Sequence, residues 1–246
     1  MVSLYEGARV GKRSGVGVLD KSVLILSFLS EAGSSSLAGV VSGTGIPRPT
    51  AHRLLSALEA HHLVAREGKK FALGMRLLGW GARAAPARDL VESSRPVLEK
   101  LRDETEESTQ LYVREGDHRV CVASSERSGG GLRDTVHVGA IMPLDRGSAG
   151  KVLLAWAEEG AKFEEIKKLG WAESVAEREA GVASVSAPVF DGDRKIVAAV
   201  SASGPISRLG ESPGERLANS VVAAAREIEV ARFARREAGV FSTASP

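Results

Sequence analysis

The chain has 246 residues, of which 43% are hydrophobic and 26% are charged, a composition typical of folded globular domains. No apolar run approaches the roughly 20 residues needed to cross a bilayer, and the polar start lacks the apolar centre of a signal peptide. The single cysteine, Cys121, excludes an intrachain disulfide. We therefore expect a cytoplasmic protein whose residues 1–14 are disordered.

Charge is distributed unevenly along the chain. Residues 1–85 hold 11 Lys and Arg against 5 Asp and Glu, a net charge of +6, whereas the remainder holds 22 against 26, a net charge of −4. A basic front joined to an acidic body is typical of a nucleic-acid-binding head on a different kind of domain. Chance variation in surface charge is the alternative explanation at this point.

The front of the chain has the hydrophobic spacing of three short helices. They are predicted at 18–30, 37–42 and 47–60. Ser36 is placed to cap the second helix, and the tight turn Gly43-Thr44-Gly45 precedes the third. Two short strands, 63–66 and 71–73, then predict a hairpin with a basic tip, followed by a glycine-containing linker helix over 74–85.

From Arg88 onwards the pattern changes to mixed helices and strands. Alternating apolar residues around turn signals predict strands at 108–114, 119–125, 132–138, 182–190 and 195–203. Helical spacing predicts helices at 88–106, 148–157 and 162–169, and a last helix that opens with a capping box at Ser212. Helices that flank an antiparallel sheet indicate a compact α+β domain of the sensor type.

Three helices followed by a basic hairpin predict a winged helix-turn-helix whose third helix enters the DNA major groove. Arg48 or Arg53 is suited to a bidentate contact with guanine, and Thr50 to a phosphate oxygen. His52 either reaches a phosphate or packs at the helix surface. Lys69 and Lys70, at the wing tip, are expected to meet the DNA backbone or minor groove. The alternative is a small helical subdomain with a solvated charged face.

Several segments, in order, resemble the IclR family of bacterial transcription regulators. Thr44–Leu55 (TGIPRPTAHRLL) resembles the family's recognition-helix signature, and Gly147–Ala155 resembles its effector-loop segment. Glu179–Asp191 and Ala198–Pro205 are similar to the closing hairpin of its sensor domain. The resemblance implies DNA-binding residues at Arg48, Pro49, Thr50, Ala51, His52, Arg53, Lys69 and Lys70. Pro49 is a departure, because the family usually has Ser or Thr there to contact phosphate.

The resemblance also implies a GAF-like α+β effector-binding domain. The expected domains are a winged helix-turn-helix over 15–74, a linker helix over 75–88 and the effector domain over 89–246. Carried over residue by residue, the effector-binding residues are Gly147, Ser148, Ala149, Gly150, Ser184, Ser201 and Ser203. A loop at a helix N-terminus favours an anion such as a carboxylate, so the expected effector is a small organic molecule, carboxylate or amino-acid-like. Ser174 stands where the family often has an acidic residue, which predicts a different ligand. Small residues packing a tight interior are the alternative.

Further expectations concern partners and targets. The resemblance implies a homodimer or a dimer of dimers on pseudo-palindromic operator DNA, with no cofactor and no membrane contact. Resemblance to actinobacterial members that govern amino-acid biosynthesis and secondary metabolism suggests control of such genes.

Two other classes of protein are considered. Ser148-x-x-Lys151 matches the start of a serine–lysine acylase pattern, which makes a serine-dependent hydrolase the main alternative, although the other two motifs of that class are absent. A phosphate-binding loop is excluded because Asp145 and Val152 occupy two of its required positions. The histidines have no metal-ligand spacing. A ligand-binding module whose head contacts protein is the third possibility.

Overall fold

The computed structural model describes residues 14–84, 88–128, 134–157 and 163–242. The chain divides into two compact units, 1–86 and 87–246. Except for Ser14, the N-terminal segment expected to be disordered lies outside the described residues. The predicted α+β fold class is confirmed.

The first unit is a small helical domain with a three-stranded sheet. Its elements are α1 (Gly17–Ala32), β1 (Ser34–Ser36), α2 (Leu37–Thr44), α3 (Arg48–Ala60), β2 (Val64–Glu67), β3 (Lys70–Leu73) and α4 (Arg76–Ala84). Strand β3 lies between β1 and β2 and is antiparallel to both. The predicted cap of α2 is confirmed, because the Ser36 hydroxyl accepts a hydrogen bond of 3.2 Å from Gly39 N.

The core of this unit forms where the apolar faces of its helices meet. Ile25 and Leu29 of α1 and Leu55 of α3 are completely buried. A side chain at position 43 would collide with Phe28, since a Cβ built there lies 2.2 Å from its ring. Glycine at that position therefore lets α2 pack closely against α1.

The second unit contains the larger sheet and the remaining helices. Its elements are α5 (Arg88–Thr105), β4 (Ser108–Glu115), β5 (His118–Ser125), β6 (Ile141–Pro143), α6 (Ser148–Ala157), α7 (Glu164–Leu169), β7 (Ala172–Val175), β8 (Val182–Phe190), β9 (Ile196–Pro205), α8 (Ile206–Leu209) and α9 (Pro213–Ser242). Among the described residues, six strands form one antiparallel sheet in the order β6-β5-β4-β9-β8-β7.

The two faces of this sheet are covered differently. Residues of α5 and α9, among them Leu98, Val221 and Ile228, pack on one face with Val185 of β8. On the opposite face, α6 packs against the central strands. Because strand residues alternate between faces, β4, β8 and β9 each present one set of side chains towards α6.

The prediction of a strand at 132–138 is wrong for residues 134–138, the part of this segment that the structure describes. Residues 134–138 have no strand structure, and the edge strand β6 begins at Ile141 instead. Asp134 forms an ion pair with Arg178 there, and Val136 is buried in the core. Side-chain contacts therefore hold this segment in place of a strand ladder. The short strands β1 and β7 and the one-turn helix α8 were not predicted.

Candidate DNA-reading surface and effector site

Helix α3 presents one face to the core and the other to solvent. Ala51, Leu54, Leu55 and Leu58 are buried, as the spacing of apolar residues predicts. The opposite face carries Arg48, His52 and Arg53, all of which are exposed. The apolar face of α3 therefore packs against the core of this unit, and its charged side chains remain accessible to a large ligand.

The turn before α3 is fixed by its own hydrogen bonds. Thr44 Oγ1 donates to Val40 O at 2.6 Å and accepts from Ile46 N at 3.3 Å. Gly45 adopts a φ of +68°, and its N–H donates to Val41 O at 3.0 Å. A left-handed residue that closes a helix is most often glycine. This turn therefore sets the direction in which α3 leaves α2.

Not every residue of the predicted DNA-binding set is placed to reach DNA. Pro49 is exposed in the first turn of α3, and Thr50 is half-buried. Ala51 is completely buried in the core, so its inclusion in that set needs correction. Its methyl group packs behind the helix and supports the residues that face outwards.

The hairpin formed by β2 and β3 has a basic tip. Gly68 has a φ of +63°, and Lys69 and Lys70 follow it with exposed side chains. Behind the tip, the Arg66 guanidinium lies 4.8 Å from the centre of the Phe71 ring. A positively charged loop of this kind can contact phosphates beside a groove.

The second candidate site is built around the N-terminus of α6. Gly147 has a φ of +82°, and Ser148 and Ala149 are buried immediately after it. A Cβ on Gly150 would lie 2.3 Å from Leu144 O. Glycine is therefore required where the first turn of α6 touches the preceding loop.

Ser148 connects this turn to the sheet. Its Oγ lies 2.7 Å from Ser184 Oγ and 2.7 Å from Ser186 Oγ, both on β8. Ser184 belongs to the predicted site, whereas Ser186 was missed. The alternation of side chains along β8 places residues 184 and 186 on one face and could have identified it.

Polar side chains continue across the same face of the sheet. Ser201 and Ser203 of β9 are buried and pair in register with Ser186 and Ser184. On the next strand, Gln110 Oε1 accepts a hydrogen bond of 3.1 Å from Ser203 Oγ. We call the residues Gln110, Ser184, Ser186, Ser201 and Ser203 the polar row. The structure thus brings Ser148, Ser184, Ser201 and Ser203 together, as predicted, and adds Gln110 and Ser186.

Two arginines missed by the sequence reasoning lie near the same turn. Arg178 Nη2 donates to Asp134 Oδ1 at 2.6 Å. Although burial acts in the opposite direction, the charge and hydrogen bond of Asp134 raise the pKa of Arg178. Arg119 is buried, and its nitrogens lie within 3.1 Å of where a Cβ on Gly147 or Gly150 would be. Both arginines lie next to loops, and the structure of those loops could not be predicted from the sequence pattern.

Lys151 does not act together with Ser148. Its Nζ donates to Glu173 O at 2.9 Å and to Glu177 Oε1, whereas the Ser148 hydroxyl is bound to β8. A serine–lysine acylase needs the amine beside the hydroxyl so that it can accept the proton. The partners of the two side chains therefore argue against the hydrolase alternative.

A separate groove of about 540 Å³ lies beside α6, α7 and β7. Leu154, Ile166 and Trp171 form part of its apolar lining, and Lys151 and Glu173 also border it. None of the predicted effector residues lines this groove, so it is distinct from the polar row.

Comparison with known proteins identifies the family. The family model described as the IclR helix-turn-helix domain matches residues 18–68, and the bacterial transcriptional regulator IclR C-terminal model matches 82–166 and 160–230. The chain belongs to the IclR family. It is therefore a DNA-binding transcriptional regulator, as the resemblance predicted, and not the hydrolase considered as an alternative.

Individual relatives agree with this placement. The regulator RhmR of Escherichia coli K12 is 28% identical over 242 residues, covering 87% of this chain and 93% of RhmR. The transcriptional repressor IclR of the same organism is 24% identical over 243 residues, covering 87% and 89%. An IclR homologue from Microbacterium hydrocarbonoxydans, solved with 4-hydroxybenzoate, shares the fold with a TM-score of 0.67, at 21% identity and 88% and 99% coverage.

Two negative findings apply to the described residues. No helix among them has the length and apolar character to span a membrane. Within the same part of the chain, no group of three or more His, Cys, Asp or Glu residues is arranged to hold a metal ion.

Proposed function

We propose that this IclR-family regulator binds a pseudo-palindromic operator through α3 and the β2–β3 wing, and that a small organic effector changes its affinity for that operator. The main support for DNA binding is that α3 has a buried apolar face and an exposed face with Arg48, His52 and Arg53. The protein acts on DNA in the bacterial cytoplasm.

The exposed side chains of α3 and of the wing contact different parts of the DNA, either the base edges or the phosphates. Arg48 and Arg53 are suited to guanine edges in the major groove, where an arginine bonds bidentately to O6 and N7. Thr50 and the N-terminus of α3 face phosphate oxygens. Lys69 and Lys70 neutralise phosphates beside the groove, and this contribution is independent of sequence.

The effector binds where the turn formed by Gly147, Ser148, Ala149 and Gly150 meets the polar row, and its polar groups replace some of the hydrogen bonds that Ser148 makes to β8. Serine hydroxyls both donate and accept hydrogen bonds, so those of Ser148, Ser184, Ser201 and Ser203 can orient polar groups of a small ligand. The N-terminus of α6 favours an anionic group, which fits a carboxylate or amino-acid-like effector. Complex formation with 4-hydroxybenzoate by the Microbacterium homologue gives one example of a small acid to test.

A second copy of the chain covers the exposed apolar side chains of the first unit. Leu19 and Val23 are 53% and 37% exposed and lie four residues apart, which places them on one face of α1, and Val16, immediately before the helix, is 53% exposed. Met75 and Leu78, around the start of α4, are 77% and 66% exposed. Apolar surface of this extent on one small domain marks an interaction site, and a dimer of heads matches a palindromic operator.

Helix α4 transmits the effector signal. A Cβ on Gly79 or Gly81 would have no atom of the described residues within 4 Å, so these glycines lower the intrinsic stability of the helix without serving its packing there. An effector need favour one arrangement of the heads by only about 1–3 kcal/mol to change operator affinity usefully. Genes of amino-acid or secondary metabolism are the proposed targets.

The proposal is tested with the full chain and DNA from upstream of its own gene. Operator affinity is measured by fluorescence anisotropy with and without 4-hydroxybenzoate, pyruvate and a set of amino acids, while sedimentation reports the oligomeric state. We expect a dimer or a dimer of dimers whose operator affinity at least one of these compounds shifts by about fivefold or more. A monomer that binds DNA with unchanged affinity in all mixtures would contradict the proposal.

A further inference from the structure

Arg119 holds a buried positive charge against the first turn of α6. The residue is only 2% exposed. Its Nη1 donates to Arg146 O at 2.8 Å and to Pro143 O, and its guanidinium lies 5.5 Å from the centre of the Tyr112 ring. Among the described residues, the buried Nε atom has no hydrogen-bond partner. One donor of this cation is therefore left unused inside the domain.

No carboxylate of the described residues is paired with the charge of Arg119. Of the other charged groups close to the turn, Arg178 is paired with Asp134 and Lys151 with Glu177. No ion pair joins Arg119 to any carboxylate in the described ranges. Burial lowers the pKa of Arg119; Tyr112 and Asp145 oppose this shift, and the neighbouring charge of Arg178 adds to it. Arginine nevertheless stays charged in proteins, so Arg119 is a buried cation that no ion pair neutralises within the described ranges.

The backbone around Arg119 adds further donors. A Cβ on Gly147 would lie 3.1 Å from Arg119 Nη2, and one on Gly150 would lie 3.0 Å from Nη1. The guanidinium therefore touches the glycine-containing turn that begins α6. The N–H groups of such a turn and the helix dipole attract anions, and Gly147 N already donates to the Glu177 carboxylate at 3.2 Å. Ser174, which is buried and pairs in register with Ser184, adds no further negative charge.

We propose that Arg119 binds the anionic group of the effector, and that the effector is consequently a carboxylate. This inference rests on the proposed function, because it assigns a ligand class to the effector site. The carboxylate bonds to the guanidinium and to the first N–H groups of α6, while the polar row binds the hydroxyl, keto or amino groups of the same molecule. Arg119 thus determines the charge selectivity of the site.

Matched pairs of ligands that differ in charge and little in shape provide the test. Calorimetry on the full chain compares benzoate with benzamide, 4-hydroxybenzoate with 4-hydroxybenzamide, and pyruvate with pyruvamide. The variant is Arg119→Met, which keeps the length of the side chain and removes its charge. Arg114→Met is the matched control, because Arg114 is the cross-strand neighbour of Arg119 and is exposed.

We expect the wild type and Arg114→Met to bind at least one carboxylate about tenfold or more tightly than its amide, the range of a charge-assisted hydrogen bond. Arg119→Met is expected to lose that preference while its affinity for the amide changes by less than about threefold. If Arg119→Met does not fold, Arg119→Lys is used instead. It should still prefer the carboxylate, because the positive charge is retained.

Three results would overturn the assignment. The first is that the wild type binds no carboxylate of the set more tightly than the matching amide. A wild type that binds none of these compounds counts as the same result. The second is an equal loss of carboxylate and amide binding in Arg119→Met, which would mean that Arg119 only positions the turn. The third is an Arg119→Lys variant that binds both members of a pair equally.

The inference and the proposed regulation can fail separately. A carboxylate that binds through Arg119 and leaves operator affinity unchanged would uphold the inference and contradict the regulation. Operator affinity that responds to amides and not to their carboxylates would uphold the regulation and overturn the role of Arg119.

Discussion

Ser148 Oγ and Ser184 Oγ lie 2.7 Å apart and join the first turn of α6 to strand β8. Ser148 is 1% exposed and also lies 2.7 Å from Ser186 Oγ. A hydroxyl has a single proton to donate, so the three hydroxyls must share their protons in one connected arrangement. Binding of a polar ligand group here would redistribute those hydrogen bonds, which connects the ligand to the position of α6.

Replacing Ser148 with Ala is expected to destabilise the domain and to weaken binding at the proposed effector site. Loss of the hydroxyl leaves Ser184 and Ser186 with one partner fewer, at a cost of about 1–2 kcal/mol in the free energy of unfolding. Urea unfolding measures this change, and calorimetry measures effector affinity. Ser207→Ala, at an exposed position of α8, serves as the control and should change stability by less than about 0.5 kcal/mol. Equal stability of the two variants would show that the hydroxyl cluster contributes nothing.

Two Gly→Ala substitutions in helices are expected to have opposite effects. At Gly150 the new methyl group would lie 2.3 Å from Leu144 O, and relieving such overpacking typically costs about 1–3 kcal/mol. At Gly79 the methyl group would contact no residue that the structure describes, so alanine should stabilise α4 by up to about 1 kcal/mol. Thermal unfolding of the two variants measures both signs. A Gly150→Ala protein as stable as the wild type would contradict the close contact between α6 and its preceding loop.

Arg53→Ala is expected to reduce specific operator binding by about tenfold or more, because a bidentate arginine–guanine contact is worth about 1–3 kcal/mol. Binding to competitor DNA of unrelated sequence should change much less. Arg95→Ala, an exposed arginine of α5, is the control and should bind like the wild type. Competition titrations with the operator and with scrambled DNA provide the measurement. Unchanged operator affinity in Arg53→Ala would remove Arg53 from the reading surface.

Cys121 is expected to be unreactive in the folded protein. Its side chain is completely buried, and burial, only partly offset by a hydrogen bond to the Ala123 backbone, raises the pKa of the thiol to about 12. Since the thiolate is the reactive form, modification near pH 8 should require opening of the domain. The rate with a chromogenic disulfide measures this, with the urea-unfolded chain as the fast reference. Rapid modification of the native protein would show that strand β5 is accessible.

Much of the fold follows from local sequence pattern. The helix-turn-helix was predictable because the apolar residues of α3 recur at helical spacing, and Ser36 and Gly45 mark where α2 begins and ends. The hairpin of β8 and β9 was predictable from its length and alternation. Strand β1 was not, because Ser34–Ser36 has no apolar pattern and is a strand only through its pairing with β3. Strand β7 was missed for a similar reason, since it is four residues long and forms by pairing with β8.

The site was predicted less completely than the fold. Ser148, Ser184, Ser201 and Ser203 came from the family resemblance, and the structure places them together. Arg119 was missed because a charged residue beside a hairpin turn normally faces solvent, as its neighbour Arg114 does. Its burial depends on the loop from β6 to α6, which folds over the guanidinium. Contacts between segments so far apart leave no periodic pattern in either segment.

The most direct test of the central claim is binding of the purified full chain to DNA upstream of its own and neighbouring genes. Binding is measured at two salt concentrations with excess unrelated competitor DNA, and Lys69→Gln/Lys70→Gln is run in parallel. The account predicts a complex that survives the competitor, weakens as salt rises and, in the double variant, has a salt dependence shallower by about one to two units of log–log slope. The account would be contradicted if the protein bound none of these upstream regions more tightly than the competitor DNA. This result would have to hold both without and with the carboxylates named above.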